Sequence, residues 1–139
     1  MNTRLIWWPA VAMVALTVVV WFRMYTTRIA LMKREHIHPQ AVALSAQAAS
    51  KLTDSKAADN FKNLFELPVL FYLALVLAAE TAQVNALTLT LAWLFVALRV
   101  AHSAIHCGYN KVYHRFYAYV AGGFALWVLW AVLVYGLIA

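Results

Sequence analysis

The stretch that decides the fold is FYAYVAGGFALWVLWAVLVYGLIA, residues 116–139, which contains no formally charged side chain. About 20 mainly apolar residues are enough for a helix to cross the hydrocarbon core of a bilayer. Lipid offers the backbone no hydrogen-bond partners, so a span of this length has to be helical. The stretch therefore predicts a transmembrane helix.

Three stretches upstream have the same character, and together they predict four spans at approximately 5–25, 61–80, 86–108 and 116–138. The chain of 139 residues is 65% hydrophobic and 12% charged, whereas a soluble domain is about 45–50% apolar and about 25% charged. This composition excludes a soluble globular domain. We expect the first span to be a retained helix rather than a signal peptide, because its apolar run is long and no A-x-A-like cleavage site follows it. The prediction is a single all-α domain over 1–139, an integral membrane four-helix bundle.

Basic residues are concentrated in the two loops that join span one to span two (approximately 26–60) and span three to span four. The hairpin between spans two and three contains none. The positive-inside rule therefore predicts that these two loops are cytoplasmic and that both termini lie outside. The basic residues of the cytoplasmic loops account for the net charge of +6. We therefore expect membrane lipid, and no nucleic acid, as a partner.

Polar side chains interrupt the spans at helical spacing. They form three stripes near the cytoplasmic side: Asp59, Asn63 and Glu66; Arg99, His102 and His106; Arg115, Tyr119 and Gly122. Ionisable residues inside a span are costly and usually face the bundle interior, so each is a candidate functional residue.

Glu66 and Arg99 are expected at matching depth, roughly 10 and 13 Å from the cytoplasmic end at about 1.5 Å per residue. Their spacing predicts an ion pair, which would be either structural or part of a site. His102 and His106 form an H-x-x-x-H pair that is compatible with metal binding. Too few further ligands accompany it in pattern, so no metal site is expected.

Two segments carry a family resemblance: DNFKNLFELPVLFYLAL (59–75) and RVAHSAIHCGYNKVYHRFYAY (99–119). They resemble the MAPEG proteins, the membrane-associated proteins in eicosanoid and glutathione metabolism that include the microsomal glutathione transferases. The family pattern is Asn-x-x-Glu on helix two, Arg-x-x-His on helix three, and an Arg followed four residues later by Tyr on helix four. The chain looks like a bacterial-type member, which implies the bacterial inner membrane.

The resemblance implies a homotrimer that binds glutathione as co-substrate at subunit interfaces, for transfer to, or reduction of, a lipophilic electrophile. Arg115 matches the residue that holds the glutathione sulfur as thiolate. A basic residue late in helix one (Arg28, Lys33 or Arg34) is expected to contact a glutathione carboxylate. The remaining residues that the resemblance assigns to the glutathione site are Asn63, Glu66, Arg99, His102, Lys62 and Tyr119.

The chain departs from the pattern of catalytic members at four positions, one of which is Phe116, where one branch of the family has Ser. Lys62 stands where Arg is common, Asp59 is acidic where a basic residue is frequent, and His106 replaces a frequent Tyr. An acidic side chain should weaken the binding of anionic glutathione. The alternative is therefore a non-catalytic membrane scaffold, a lipid-binding protein or an accessory subunit of a larger membrane complex.

Overall fold

The computed structural model describes residues 2–139, most of which are helical. Six α-helices follow in chain order: α1 (Trp7–Arg34), α2 (Ser45–Lys51), α3 (Lys56–Asn63), α4 (Leu67–Glu80), α5 (Ala86–Cys107) and α6 (Val112–Ile138). Short 3-10 turns occupy Thr3–Ile6 and Pro39–Val42. Residues 2–139 contain no strand, so the predicted all-α fold is confirmed.

Four helical segments are long and apolar enough to cross a membrane: Thr3–Arg34, Lys56–Glu80, Ala86–Cys107 and Val112–Ile138. The protein is accordingly a multi-pass integral membrane protein. The first helix continues to Arg34, well past residue 25, and so includes the basic segment that follows its apolar run. The second segment begins at Lys56, ahead of the apolar run that starts at Phe61.

The chain order brings four helix ends together at one end of the bundle. The end of α1, the start of α3, the end of α5 and the start of α6 all lie there. We call this the basic end, because Arg28, Lys62, Lys111 and Arg115 belong to these helix ends and their flanking loop.

The opposite end is closed by the tight connection between α4 and α5. The Asn85 side-chain oxygen accepts a hydrogen bond from the Thr88 backbone N–H, and the Thr88 hydroxyl accepts one from the Asn85 N–H, both at 3.0 Å. This reciprocal capping box satisfies two backbone donors at the start of α5. The Thr88 hydroxyl also donates a hydrogen bond of 3.0 Å to the Gln83 carbonyl, which joins the start of α5 to the connection from α4.

The bundle interior is apolar over most of its length. Phe71 of α4 stacks on Phe95 of α5 with ring centroids 4.5 Å apart. The most extensive helix packing is between α5 and α6. The buried Gly122 of α6 lies in this interface, where a Cβ added to it would be in ordinary van der Waals contact with the Leu98 Cβ at 3.6 Å. The close packing brings the polar stripes of α5 and α6 against each other.

The second membrane segment is broken where the sequence predicted a continuous helix. Helix α3 ends at Asn63, α4 begins at Leu67, and Glu66 between them has non-helical angles (φ −96°, ψ −105°). Pro68, in the first turn of α4, explains the break, because proline has no N–H and its ring clashes with the carbonyl four residues earlier. The prediction that Asp59, Asn63 and Glu66 share one face of a single helix is therefore wrong.

Candidate functional site

Arg99 lies at the centre of a polar cluster towards the basic end, and its side chain is completely buried. Its Nη2 donates a hydrogen bond of 3.0 Å to the backbone carbonyl of Asn63. The break after α3 leaves this carbonyl without a regular helical partner; the Glu66 N–H approaches it only at 3.4 Å. The arginine thus satisfies a backbone group exposed by the break, as a membrane interior requires.

Tyr119 of α6 lies between the guanidinium and the carboxylate that were predicted to pair. Its ring centroid is 5.0 Å from Arg99 Cζ, and its hydroxyl donates a hydrogen bond of 3.0 Å to Glu66 Oε2. The predicted direct Glu66–Arg99 ion pair is wrong, since the ion pairs within residues 2–139 are Arg34–Glu35 and Lys62–Asp59. The break at Pro68 is the physical reason, because it displaces Glu66 from the helical stripe towards Tyr119.

The two histidines of α5 extend the cluster towards the basic end. His102 and His106 are both almost fully buried, with ring centroids 5.4 Å apart. The His102 ring is also 5.5 Å from the Tyr119 ring. Within residues 2–139, no group of three or more His, Cys, Asp or Glu side chains is arranged to hold a metal ion.

Several buried polar atoms of this cluster have no hydrogen-bond partner within residues 2–139: Arg99 Nε, Arg99 Nη1, His102 Nδ1 and His106 Nδ1. Buried polar groups are normally paired, and unpaired ones at membrane depth are costly. These atoms are therefore unpaired polar groups of the cluster, and two of them belong to the charged Arg99 guanidinium.

Arg115 opens the polar stripe of α6, one turn before Tyr119, and its side chain is half-buried. Its Nη1 donates a hydrogen bond of 2.8 Å to Asn110 Oδ1. Asn110 adopts the left-handed conformation (φ 52°), which asparagine tolerates better than most residues. The turn before α6 thus holds the Arg115 guanidinium, whose other donors have no hydrogen-bond partner within residues 2–139.

The sequence did not single out Asn110, nor the buried asparagine Asn60. Asn60 is fully buried; it accepts a hydrogen bond of 3.3 Å from the Ser103 hydroxyl and donates one of 3.5 Å to Cys107 Sγ. The available signal was its i, i+4 spacing to Leu64, which places both residues on the buried face of this segment. It is Asn60, rather than Asn63, that inserts its side chain between α3 and α5.

The structure brings together Asn63, Glu66, Arg99, His102 and Tyr119 of the predicted site, with Arg115 on the same stripe of α6 as Tyr119. It does not bring Arg28 and Lys62 to them within one chain. These two cations line a different cavity, between α1, α2 and α3, and Lys62 lies 4.0 Å from the Asp59 carboxylate.

Comparison with known proteins supports the resemblance noted in the sequence. The family model described as MAPEG family matches residues 6–135, which is nearly the whole chain. No curated protein sequence and no solved structure matches the chain. On the strength of the family match, with four membrane helices and a polar cluster towards their basic end, the chain belongs to the MAPEG family.

Proposed function

We propose that this protein is a glutathione-dependent transferase or peroxidase that acts on lipophilic electrophiles. The observation that carries the proposal is the buried Arg99, whose Nε and Nη1 have no partner within residues 2–139. A guanidinium with unused donors inside a membrane protein favours an anionic ligand. Glutathione supplies two carboxylates and an ammonium group as well as its thiol.

The chemistry of the cluster residues suits the different ends of this tripeptide. Arg99 and His102 are suited to a carboxylate, because both have buried nitrogen atoms without a partner. Glu66 is suited to the ammonium group, since its carboxylate is exposed and accepts only the Tyr119 hydroxyl. The Asn63 side chain is half-buried beside them and adds a neutral donor and acceptor.

Arg115 is the proposed catalytic residue. A thiol has a pKa of about 8.5, and a neighbouring cation lowers that value, so that more of the nucleophilic thiolate is present at neutral pH. In a transferase reaction the thiolate sulfur forms a bond to the electrophilic carbon, and the leaving group departs with the bonding electron pair. In a peroxidase reaction two glutathione molecules become the disulfide while the peroxide is reduced to an alcohol and water. The electrophile would enter from the lipid.

The proposed assembly is a homotrimer in a bacterial inner membrane, with the basic end in the cytoplasm. Arg28 and Lys62 remain predicted glutathione contacts, but they would have to reach the cluster from a neighbouring copy. The same applies to Lys33 and Arg34, which are exposed at the end of α1. Chemical cross-linking in mild detergent tests the trimer, and labelling of loop cysteines in inner-membrane vesicles tests the orientation.

The test of function is glutathione binding to the detergent-solubilised protein, followed by difference absorbance in the thiolate band. We expect a thiolate signal in the wild type, its loss in Arg115→Ala, and an unchanged signal in Arg4→Ala. Arg4 is a matched control because it is exposed and lies at the opposite end of the bundle. A thiolate signal that survives Arg115→Ala would refute the catalytic role of this residue.

A non-catalytic scaffold, lipid-binding protein or accessory subunit is the second candidate, and one observation favours it. Asp59 lies 4.0 Å from Lys62 and offsets its positive charge near the predicted site. This reading predicts that trimeric protein binds no glutathione at millimolar concentration and co-purifies with other membrane proteins in mild detergent.

A further inference from the structure

A cavity of about 370 Å³ lies at the basic end and shares no lining residue with the Arg99 cluster. Three parts of the chain enclose it: the last third of α1, the loop helix α2 and the start of α3. Its wall is mixed, with apolar groups such as Met24 and Leu52, hydroxyl groups such as Ser45 and Thr53, and charged side chains. A cavity of this composition suits a small polar headgroup.

Four charged side chains line the cavity: Lys62 and Asp59 lie close to each other, whereas Arg28 and Asp54 have no partner within residues 2–139. Lys62 is near Asp59, which also accepts a hydrogen bond of 2.7 Å from the Ser55 hydroxyl. Arg28 and Asp54 have opposite signs and line the same cavity, yet neither forms an ion pair or side-chain hydrogen bond within residues 2–139. Two unpaired opposite charges in one cavity suit a ligand that carries both signs.

Two exposed aromatic residues of α1 lie on the side of the helix that carries Arg28, a residue of the cavity wall. Trp21 and Tyr25 precede Arg28 by seven and three residues, a spacing that places them on the same side of a helix and deeper in the bilayer. Their side chains are 41% and 40% exposed, and their rings pack edge to face at 4.8 Å. Trp and Tyr are typical of the headgroup level of membranes. A lipid whose headgroup entered the cavity would therefore have an apolar surface beside it for its acyl chains.

We propose that this cavity binds the headgroup of a phospholipid that has a primary ammonium group, as in phosphatidylethanolamine. Arg28 binds the phosphate, Asp54 binds the ammonium, and the acyl chains lie along Trp21 and Tyr25. When Arg28 binds the lipid phosphate, Lys33 or Arg34, the other candidates on α1, would make the contact to glutathione in its place. The lipid site does not depend on the proposed catalytic function.

Lipid selectivity separates this site from general attraction to a basic protein. A net charge of +6 by itself favours anionic phosphatidylglycerol. Asp54 disfavours that lipid, because phosphatidylglycerol offers no cation to the carboxylate. Phosphatidylcholine has a cation, but its trimethylammonium group has no N–H to donate. The cavity therefore predicts that phosphatidylethanolamine binds more tightly than phosphatidylglycerol or phosphatidylcholine. The net positive charge alone would favour phosphatidylglycerol.

The experiment is native mass spectrometry of the full-length protein in detergent, with an equimolar mixture of the three phospholipids with identical chains. We expect phosphatidylethanolamine to bind about fivefold more tightly than phosphatidylglycerol, the ratio given by one partly exposed ion pair of about 1 kcal/mol. Asp54→Asn should abolish this preference. Arg28→Gln should weaken the binding of phosphatidylethanolamine and of phosphatidylglycerol. Arg34→Gln removes the same charge from α1 outside the cavity and should leave the preference unchanged.

Three results would overturn the proposal. The first is equal or tighter binding of phosphatidylglycerol by the wild type, and the second is an unchanged preference in Asp54→Asn. Asp54 is an exposed loop residue, so this variant tests the site even if Arg28→Gln fails to fold. The third is displacement of the lipid by soluble O-phosphoethanolamine at equal concentration, which would assign the cavity to a soluble phosphate rather than to a membrane lipid.

Discussion

Replacement of Arg99 by methionine tests the energetics of the polar cluster directly. The variant loses a charge-assisted hydrogen bond to the Asn63 carbonyl, worth about 1.5–3 kcal/mol, and a cation–π contact with Tyr119, worth about 0.5–2 kcal/mol. It also removes two buried donors without a partner, each of which costs about 1–3 kcal/mol, and the desolvation cost of a fully buried charge. The substitution also leaves the Asn63 carbonyl with only the 3.4 Å contact from the Glu66 N–H, at a cost of about 1–3 kcal/mol. Loss and relief are then of similar size, and the relieved desolvation of the buried charge decides the sign. The bundle should therefore be as stable as the wild type or more stable, by up to about 4 kcal/mol.

The assay is thermal unfolding in detergent micelles of fixed composition, with glutathione binding measured on the same samples. Arg99→Ala is the matched control, because it removes the same charge and also leaves a cavity, and large-to-small core changes cost about 2–5 kcal/mol. We expect Arg99→Met to unfold at or above the wild-type midpoint, Arg99→Ala to unfold below it, and both to lose glutathione binding. Destabilisation of Arg99→Met as large as that of Arg99→Ala would show instead that Arg99 stabilises the fold despite its unpaired donors.

Two further changes probe the neighbours of Arg99 and Arg115. Glu66→Gln should lower the unfolding free energy by no more than about 1 kcal/mol, because the glutamine oxygen still accepts the Tyr119 hydroxyl; a loss above about 3 kcal/mol in the same unfolding assay would restore the direct ion pair with Arg99. Asn110→Ala should reduce the glutathione thiolate signal severalfold by releasing Arg115, whereas Asn110→Asp, which still accepts from the guanidinium, should retain most of it. An equal loss in both variants would show that Asn110 only stabilises the turn.

The helical architecture was predictable from the sequence because it depends on composition and periodicity. Apolar runs of sufficient length have one structural solution in lipid, and the chain offers four of them. The i, i+3 and i+4 spacing also predicted correctly that Arg99, His102 and His106 share one buried face of α5. These features follow from local geometry, which does not require knowledge of the neighbouring helices.

The contacts within the cluster were not predictable in the same way. Pro68 indicates that the helix can be interrupted. Whether a proline bends a membrane helix, breaks it or leaves it intact depends on which neighbouring groups bind the freed backbone carbonyls. Here the neighbour is Arg99 of another helix, and it binds the Asn63 backbone rather than the Glu66 side chain. Asn60 was not predicted for a related reason: its role depends on a hydrogen bond from Ser103 of another helix, which the sequence does not show.

The break at Pro68 also changes how the charge of Arg99 is compensated. A direct carboxylate partner would have largely neutralised the guanidinium in place. Arg99 instead contacts the Asn63 carbonyl and the face of the Tyr119 ring. The Glu66 carboxylate is hydrogen-bonded to the Tyr119 hydroxyl and does not touch the guanidinium. None of these contacts cancels a full positive charge, and the Glu66 carboxylate stays exposed and available to a cation. By separating the predicted pair, the break therefore leaves an uncompensated positive charge and an exposed carboxylate on either side of Tyr119. Under the proposed function, these two groups would bind a carboxylate and the ammonium group of glutathione.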